Sequence, residues 1–248
     1  MARYDLSDEE WAIVSPLLPG PGRGKHRVDD RRVVNGIFYV LRTGAPWRDL
    51  PGRYGPYTTV YNRFNRWAKR GIWLKVFEEL ARRSPQSLQL IDSSIVRAHQ
   101  HAAGGKKGGP DHAIGRSRGG LSTKIHAVVD QDGLPVRLVI SPGQAADKTV
   151  APLLLDTLPP GCVIADRGYD SLALVQRVQA RGGVAHFPTQ SRVRLQRTVP
   201  RELYRQRNLV ERFFCKLKQF RRIATRFDKH AANFLAAIAL ASARIWMR

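Results

Sequence analysis

The sequence predicts an α/β protein, a mixed five-stranded sheet flanked by helices and preceded by an all-helical region. Residues 1–85 carry apolar positions at helical spacing between capping signals. From residue 88 the texture turns to short β-branched runs with one strong hairpin signal. After residue 147, helix and strand patterns alternate, the order that crossover connections produce in a sheet covered on its faces. The expected division is a helical domain at 1–85 and a sheet domain at 86–248.

Each element has its own signal. Ser7-Asp-Glu-Glu10 reads as a capping box ahead of Trp11, Ile13, Val14 and Leu17. A Pro/Gly-rich break at Pro19 to Gly24 precedes a second helix, capped by Asp29 or Asp30, running through Leu41 and closed by Gly44. A third helix begins at Thr58 or Thr59 and ends at Gly71, and Ile72 to Arg83 suits a fourth. The third sets Arg63, Arg66, Lys69 and Arg70 against the apolar stripe Val60, Phe64 and Trp67. That pattern suits a helix lying in a DNA groove, and it also describes any solvated basic helix.

Leu88 to Val96 is an apolar strand interrupted by Asp92. Ala103 to Gly120, rich in Gly and Lys, reads as a mobile basic loop. Asp130-Gln-Asp-Gly133 joins Leu121–Val129 to Leu134–Ile140 as a hairpin. Asp147 caps a helix through Leu155, and Cys162 to Ala165 is a buried strand ending at Asp166. Ser171 caps a helix to Ala180, and Val184 to Phe187 is the fifth strand. A long basic helix around Glu211 and an apolar terminal helix complete the chain.

Charge narrows the class. The 248 residues hold 42 Lys and Arg against 20 Asp and Glu, a net charge of +22. Such an excess repels itself unless a polyanion screens it, which makes nucleic acid the expected partner. Residues 189–229 alone carry 13 Lys and Arg against 3 Asp and Glu. Cys162 and Cys215 lie far apart and form no Cys-x-x-Cys pair, against a zinc finger or a disulfide scaffold. The N-terminus lacks the regions of a signal peptide, and Phe234 to Met247 is too short to span a bilayer and contains Arg244. The expectation is a cytoplasmic protein with no membrane partner.

Within the basic segment, Tyr204 to Lys218 spells Tyr-x2-Arg-x3-Glu-x6-Lys. On one helix Tyr204, Arg207, Glu211 and Lys218 would fall within roughly a 60° arc, opposite Leu209, Phe213, Leu217 and Phe220. Glu211 there pairs with Arg207 or Lys218, or it ligates a divalent metal while the cations hold phosphates. Asp92 lies among Leu90, Ile91, Ile95 and Val96, where an unpaired carboxylate costs several kcal/mol. Asp166 stands at a strand end before Gly168, as a turn or cap residue or as a ligand at a strand tip. Two aspartates and a glutamate converging from such distances form an oxygen-only set that suits Mg²⁺ or Mn²⁺. Asp130, Asp132 and Asp147 read as turn and cap residues, and Asp170 as a helix start. His99, His101, His112 and His126 surround the Gly/Lys-rich segment with a loose spacing and no nearby Cys, which favours phosphate or solvent contact over zinc.

Three blocks carry a resemblance: Leu90-Ile-Asp-Ser-Ser-Ile-Val-Arg-Ala-His99, Ala165-Asp-Arg-Gly-Tyr-Asp-Ser171 and Tyr204 to Lys218. Together they resemble the motif blocks of bacterial insertion-sequence DDE transposases with the Tyr-Arg-Glu-Lys element, insertion-sequence family 5 and its relatives. Trp47-Arg-Asp-Leu-Pro51 and Phe220 to Lys229 resemble the same group. The resemblance implies a ribonuclease H-like core, with Asp92, Asp166 and Glu211 as a catalytic triad binding two Mg²⁺, and Mn²⁺ as a substitute. It implies that Tyr204, Arg207 and Lys218 contact phosphates near the cut; the groove reading of the third helix adds Arg63 and Arg66 to the expected DNA-binding set. It further implies double-stranded DNA partners, terminal inverted repeats and target, and a homodimer in a synaptic complex within the bacterial nucleoid. Two other classes stay open: a metal-dependent nuclease that cuts without joining, and a non-catalytic DNA-binding repressor.

Overall fold

A computed structural model describes residues 2–20, 27–103, 112–191, 193–194 and 196–247. Most of the predicted Pro/Gly-rich break and the centre of the Gly/Lys-rich segment lie outside those residues. The helical region begins with α1 (Asp8–Val14), started by a capping box as predicted: Ser7 Oγ accepts the Glu10 N–H (3.1 Å), and Glu10 Oε2 accepts the Ser7 N–H (3.0 Å). α2 (Asp30–Thr43) is capped by Asp29 and ends at Gly44, whose φ of +78° only glycine adopts without strain. α3 (Tyr57–Lys69) and α4 (Ile72–Ala81) follow.

The sheet begins with β1 (Leu88–Ala98), β2 (Gly115–Ser117), β3 (Gly120–Val129) and β4 (Pro135–Pro142). Then α5 (Asp147–Leu155), β5 (Cys162–Ile164), α6 (Leu172–Ala180) and β6 (Val184–His186) alternate. The chain closes with α7 (Arg201–Arg205), α8 (Asn208–Lys218), α9 (Arg221–Ala224), β7 (Thr225–Arg226) and α10 (Ala231–Trp246). Among the described residues, seven strands form one mixed sheet rather than the five expected. The two extra pieces, β2 and β7, are three and two residues long and carry no alternating pattern of their own. They exist because β3 and β1 offer them unpaired edges.

The main order is β4–β3–β1–β5–β6. β1 lies at its centre, antiparallel to β3 and parallel to β5, which is parallel to β6. The hairpin turn is built as predicted: Asp130 accepts the N–H groups of Asp132 (3.0 Å) and Leu134 (2.9 Å). Its other oxygen accepts Ser84 Oγ (2.7 Å), fixing the turn to the segment after α4.

The helical region and the sheet share one continuous apolar core. Alanine-rich α10 makes this possible, since small side chains let it approach α3, α4, α8 and β4 at once. Its Arg244 reaches Glu10 (3.1 Å) and the Asp5 carbonyl (2.8 Å), tying the last helix to the first.

The long basic helix is divided. Between α7 and α8 the chain winds with i→i+3 bonds: Gln206 N–H to Leu203 O (3.1 Å), Arg207 N–H to Tyr204 O (3.1 Å) and Leu209 N–H to Gln206 O (2.9 Å). That tighter winding breaks the expected single-helix arc and places Arg207 in the turn, facing β1. Phe213, Leu217 and Phe220 still enter the core, with Leu209 partly buried against it.

Candidate active site

β1 and β5 run side by side with Leu90 opposite Ile164. Two residues further along each chain stand Asp92, midway along β1, and Asp166, just past the end of β5, so parallel pairing carries both carboxylates to the same level on neighbouring chains. The Ser93 N–H donates to Asp92 Oδ1 (2.7 Å). Burial pushes the Asp92 carboxyl above the usual range and the Asp166 charge adds to it, while the Ser93 N–H and Arg207 pull the other way. Asp166 Oδ1 accepts the Gly168 N–H (2.8 Å), starting the short turn 167–169. A Cβ at Gly168 would stand 2.9 Å from that oxygen, so glycine is needed for the close approach.

Glu211 comes from the first turn of α8, which packs across β1 and β3. Its carboxylate is 59% exposed. Arg207 links it to the strand: Nη2 lies 2.9 Å from Asp92 Oδ2 and 3.9 Å from Glu211 Oε1, so the two carboxylates are within about 7 Å of each other. Burial works against the Arg207 charge, but Asp92 and Tyr204 overcome it and hold the guanidinium above its ordinary range. The same guanidinium lies over the Tyr204 ring (5.5 Å) and donates to its hydroxyl (3.3 Å). At the far end of α8, Lys218 Nζ approaches the Ile95 carbonyl (3.4 Å). Helix and strand are thus in register, Arg207 on Asp92 and Lys218 beyond it.

The structure brings Asp92 and Asp166 together and places Glu211 across one guanidinium from them. Among the described residues, no three His, Cys, Asp or Glu side chains are gathered closely enough to hold a metal ion as they lie. Arg207 supplies the cation between Asp92 and Glu211.

Arg63 is not available to a ligand. Its side chain is 6% exposed, pairs with Asp30 and lies over the Trp67 ring (5.2 Å). It holds α3 to α2, whereas Arg66, on the same helix, is exposed. The predicted helix-start Asp170 instead accepts the Gln190 N–H (2.9 Å) and pairs with Arg197, pinning the segment that leads to α7.

Asp147 is expected to cap α5, but the cap position is Ala146 with no side-chain bond, and Asp147 is the first residue of the helix. Yet it also lies beside the two aspartates: a Cβ at Gly168 would be 3.7 Å from its Oδ2. Its Oδ1 accepts Ser93 Oγ (2.8 Å) and pairs with Lys124 Nζ (3.0 Å). The signal in the sequence is Lys124, a cation that needs a partner once buried, inside a segment that patterns as a strand.

The histidines separate into different environments. His99 and His101 touch (4.6 Å), His112 meets His230 (5.2 Å), and His126 is buried in β3 with Nε2 on Ser141 Oγ (2.8 Å). Burial lowers His126 from 6.5 to about 4, with Asp147 opposing. The fold therefore holds it neutral, and its contribution is intact above pH 6.5 and falls as the pH drops towards 4. The full loss is on the order of 3 kcal/mol. Urea unfolding at pH 7 and pH 4.5 should show wild type losing that much more stability than His126→Gln, and equal losses would contradict it.

No helix among the described residues is long and apolar enough to cross a membrane. A family model described as "Putative transposase of IS4/5 family" matches residues 6–77, and one described as "Transposase DDE domain" matches residues 83–246. A protein of Brucella ovis, "Putative transposase for insertion sequence element IS6501", is 40% identical over 133 residues, covering 52% of this chain and 100% of the relative. "Uncharacterized protein y4sN" of Sinorhizobium fredii is 40% identical over 104 residues, 41% of this chain and 83% of that protein. "Insertion element IS402 uncharacterized 16.2 kDa protein" of Burkholderia cepacia is 34% identical over 112 residues, 40% of this chain and 76% of that protein. No solved structure matches. Since the second family model runs from the start of the sheet through α8 and into α10, taking in both aspartates and Glu211, the chain belongs to the DDE transposases.

Proposed function

We propose that this transposase binds the terminal inverted repeats of an insertion sequence, cuts the phosphodiester backbone at the element end and joins the freed 3′-OH to target DNA. The reading gives catalysis to Asp92, Asp166 and Glu211 on a ribonuclease H-like core. The observation that carries it is Arg207. One guanidinium draws together carboxylates from β1 and α8 beside Asp166, in a protein of net charge +22. The order β4–β3–β1–β5–β6, antiparallel then parallel, supports the core assignment.

The donor set fits divalent metal. It is all oxygen, and the Asp166 charge beside the largely buried Asp92 raises that carboxyl's need for positive charge. Asp92, Asp166 and Glu211 would hold two Mg²⁺, with Mn²⁺ as a substitute. Metal bound there supplies charge stabilisation to the attacking and leaving oxygens of an in-line displacement at phosphorus. The chain's own residues do the rest. Arg207 and Lys218 present cations along β1 to the phosphates, and the Tyr204 hydroxyl, now against Arg207, adds a donor. Exposed Arg66 on α3, in place of Arg63, contacts DNA from the helical region. Two element ends held at once call for a homodimer in the synaptic complex.

The test offers pre-cut element ends carrying a 3′-OH, with Mg²⁺ and a supercoiled target. Insertion products are expected. Hydrolysis alone would make the protein a nuclease on the same scaffold, and end binding without either reaction would make it a repressor.

A further inference from the structure

Asp147, Lys124, His126 and Ser93 form a polar group beneath the proposed catalytic aspartates that the reaction as described does not use. Ser93 is the bridge. Its N–H holds Asp92 Oδ1 (2.7 Å), and its hydroxyl donates to Asp147 Oδ1 (2.8 Å). On the other side Asp147 reaches the turn after β5, where a Cβ at Gly168 would meet Asp166 Oδ1 at 2.9 Å and Asp147 Oδ2 at 3.7 Å. Asp147 therefore bonds the residue that holds Asp92 and stands beside the turn that holds Asp166.

It is itself held from below. Lys124 Nζ lies 3.0 Å from Asp147 Oδ1 and donates to the Ala145 carbonyl (2.8 Å), fixing the start of α5. His126 stands opposite Ser93 in the β1–β3 pairing, with Nδ1 3.7 Å from Asp147. Tyr169 is fully buried, and its hydroxyl has no hydrogen-bond partner among the described residues. Burial first, then the charges of Asp147, Asp92 and Asp166, keep that phenol protonated. The phenol thus lies beside Ser93 and among the three carboxylates, in the same polar group. The pair of buried Lys124 with half-buried Asp147 is also a weak device for stability alone, since it takes a cation out of water for one partly solvated partner.

We propose that Asp147 is a positioning residue of the active site: anchored by Lys124, it sets through Ser93 and the 167–169 turn how Asp92 and Asp166 face each other. This rests on the catalytic reading above. Groups that orient ligands from behind change metal affinity or activity by about 10–100-fold when lost.

The experiment uses the full chain and the variants Asp147→Asn, Ser93→Ala and, as control, Asp92→Asn. Mn²⁺ binding is followed by electron paramagnetic resonance, end binding by gel shift and folding by circular dichroism, alongside cleavage. Asp147→Asn should weaken Mn²⁺ binding and slow cleavage about 10–100-fold, with end binding unchanged. Ser93→Ala, a milder change at one hydrogen bond, should shift both in the same direction by roughly a tenth of that. Wild-type Mn²⁺ affinity and cleavage in both variants would overturn the proposal. So would losses that vanish at a temperature where the variants are fully folded. If Asp92→Asn itself binds Mn²⁺ and cleaves normally, the catalytic reading fails. An inert Asp92→Asn beside normal Asp147 and Ser93 variants refutes the positioning role alone.

Discussion

Asp166→Asn should lower cleavage of element ends on the order of 10³-fold or more while leaving them bound. The substitution keeps shape and removes charge. Asparagine Oδ1 can still accept the Gly168 N–H that Asp166 now receives at 2.8 Å, so the 167–169 turn survives. Its side chain also adds no atom against Gly168, where space is already closed. What disappears is one of the two carboxylates that β1 and β5 set side by side. Glu211→Gln is the companion, since its exposed side chain makes a small contribution to the fold and a large one to the proposed chemistry. Cleavage of labelled ends in Mg²⁺, with gel shifts on the same samples, reads both. Undiminished cleavage by Asp166→Asn would remove it from the catalytic set, and loss of end binding together with cleavage would assign it to the fold.

The largest effect on stability is expected at Arg226. Its side chain is fully buried and donates to the carbonyls of His112 (2.7 Å), Ala113 (3.1 Å), Asp228 (2.9 Å) and Lys229 (3.2 Å) and to Thr123 Oγ1 (2.6 Å). It stacks over Phe234 (4.9 Å) and pairs β7 with the end of β1. Burial pushes the nearby Asp228 carboxyl up, with Arg222 and Arg226 opposing. Arg226→Met keeps much of the volume but strands these acceptors and leaves Asp228 with less compensation. The expected loss is about 3–5 kcal/mol, or roughly 10 °C in Tm for a chain of this size. Urea unfolding measures it, and a loss under about 1 kcal/mol would show that water or neighbouring donors replace the guanidinium.

Local chemistry was the legible part. The capping box at Ser7, the glycine at position 44, the Asp130 turn and the Ser171 cap each act within a few residues, where spacing alone decides the bond. The candidate acids were legible too, because Asp92 interrupts an apolar run and Glu211 stands in a dense cationic segment. Arg63 and Arg66 show where this ends. Both lie on α3 at similar spacing, and only Asp30, 33 residues upstream, selects Arg63 for burial. The division between α7 and α8 carries no Gly or Pro to announce it, since what faces that turn is Asp92, 115 residues away.

Residue order by itself determined the α/β class, the order of the five main strands, and which acids were worth watching, because backbone periodicity and capping are short-range. Tertiary structure alone decided that Asp92 and Asp166 stand side by side on neighbouring chains, that Arg207 faces them, and that Asp147 joins them over Lys124. Those contacts depend on strand register and helix approach, which are set by burying one continuous core rather than by any single segment.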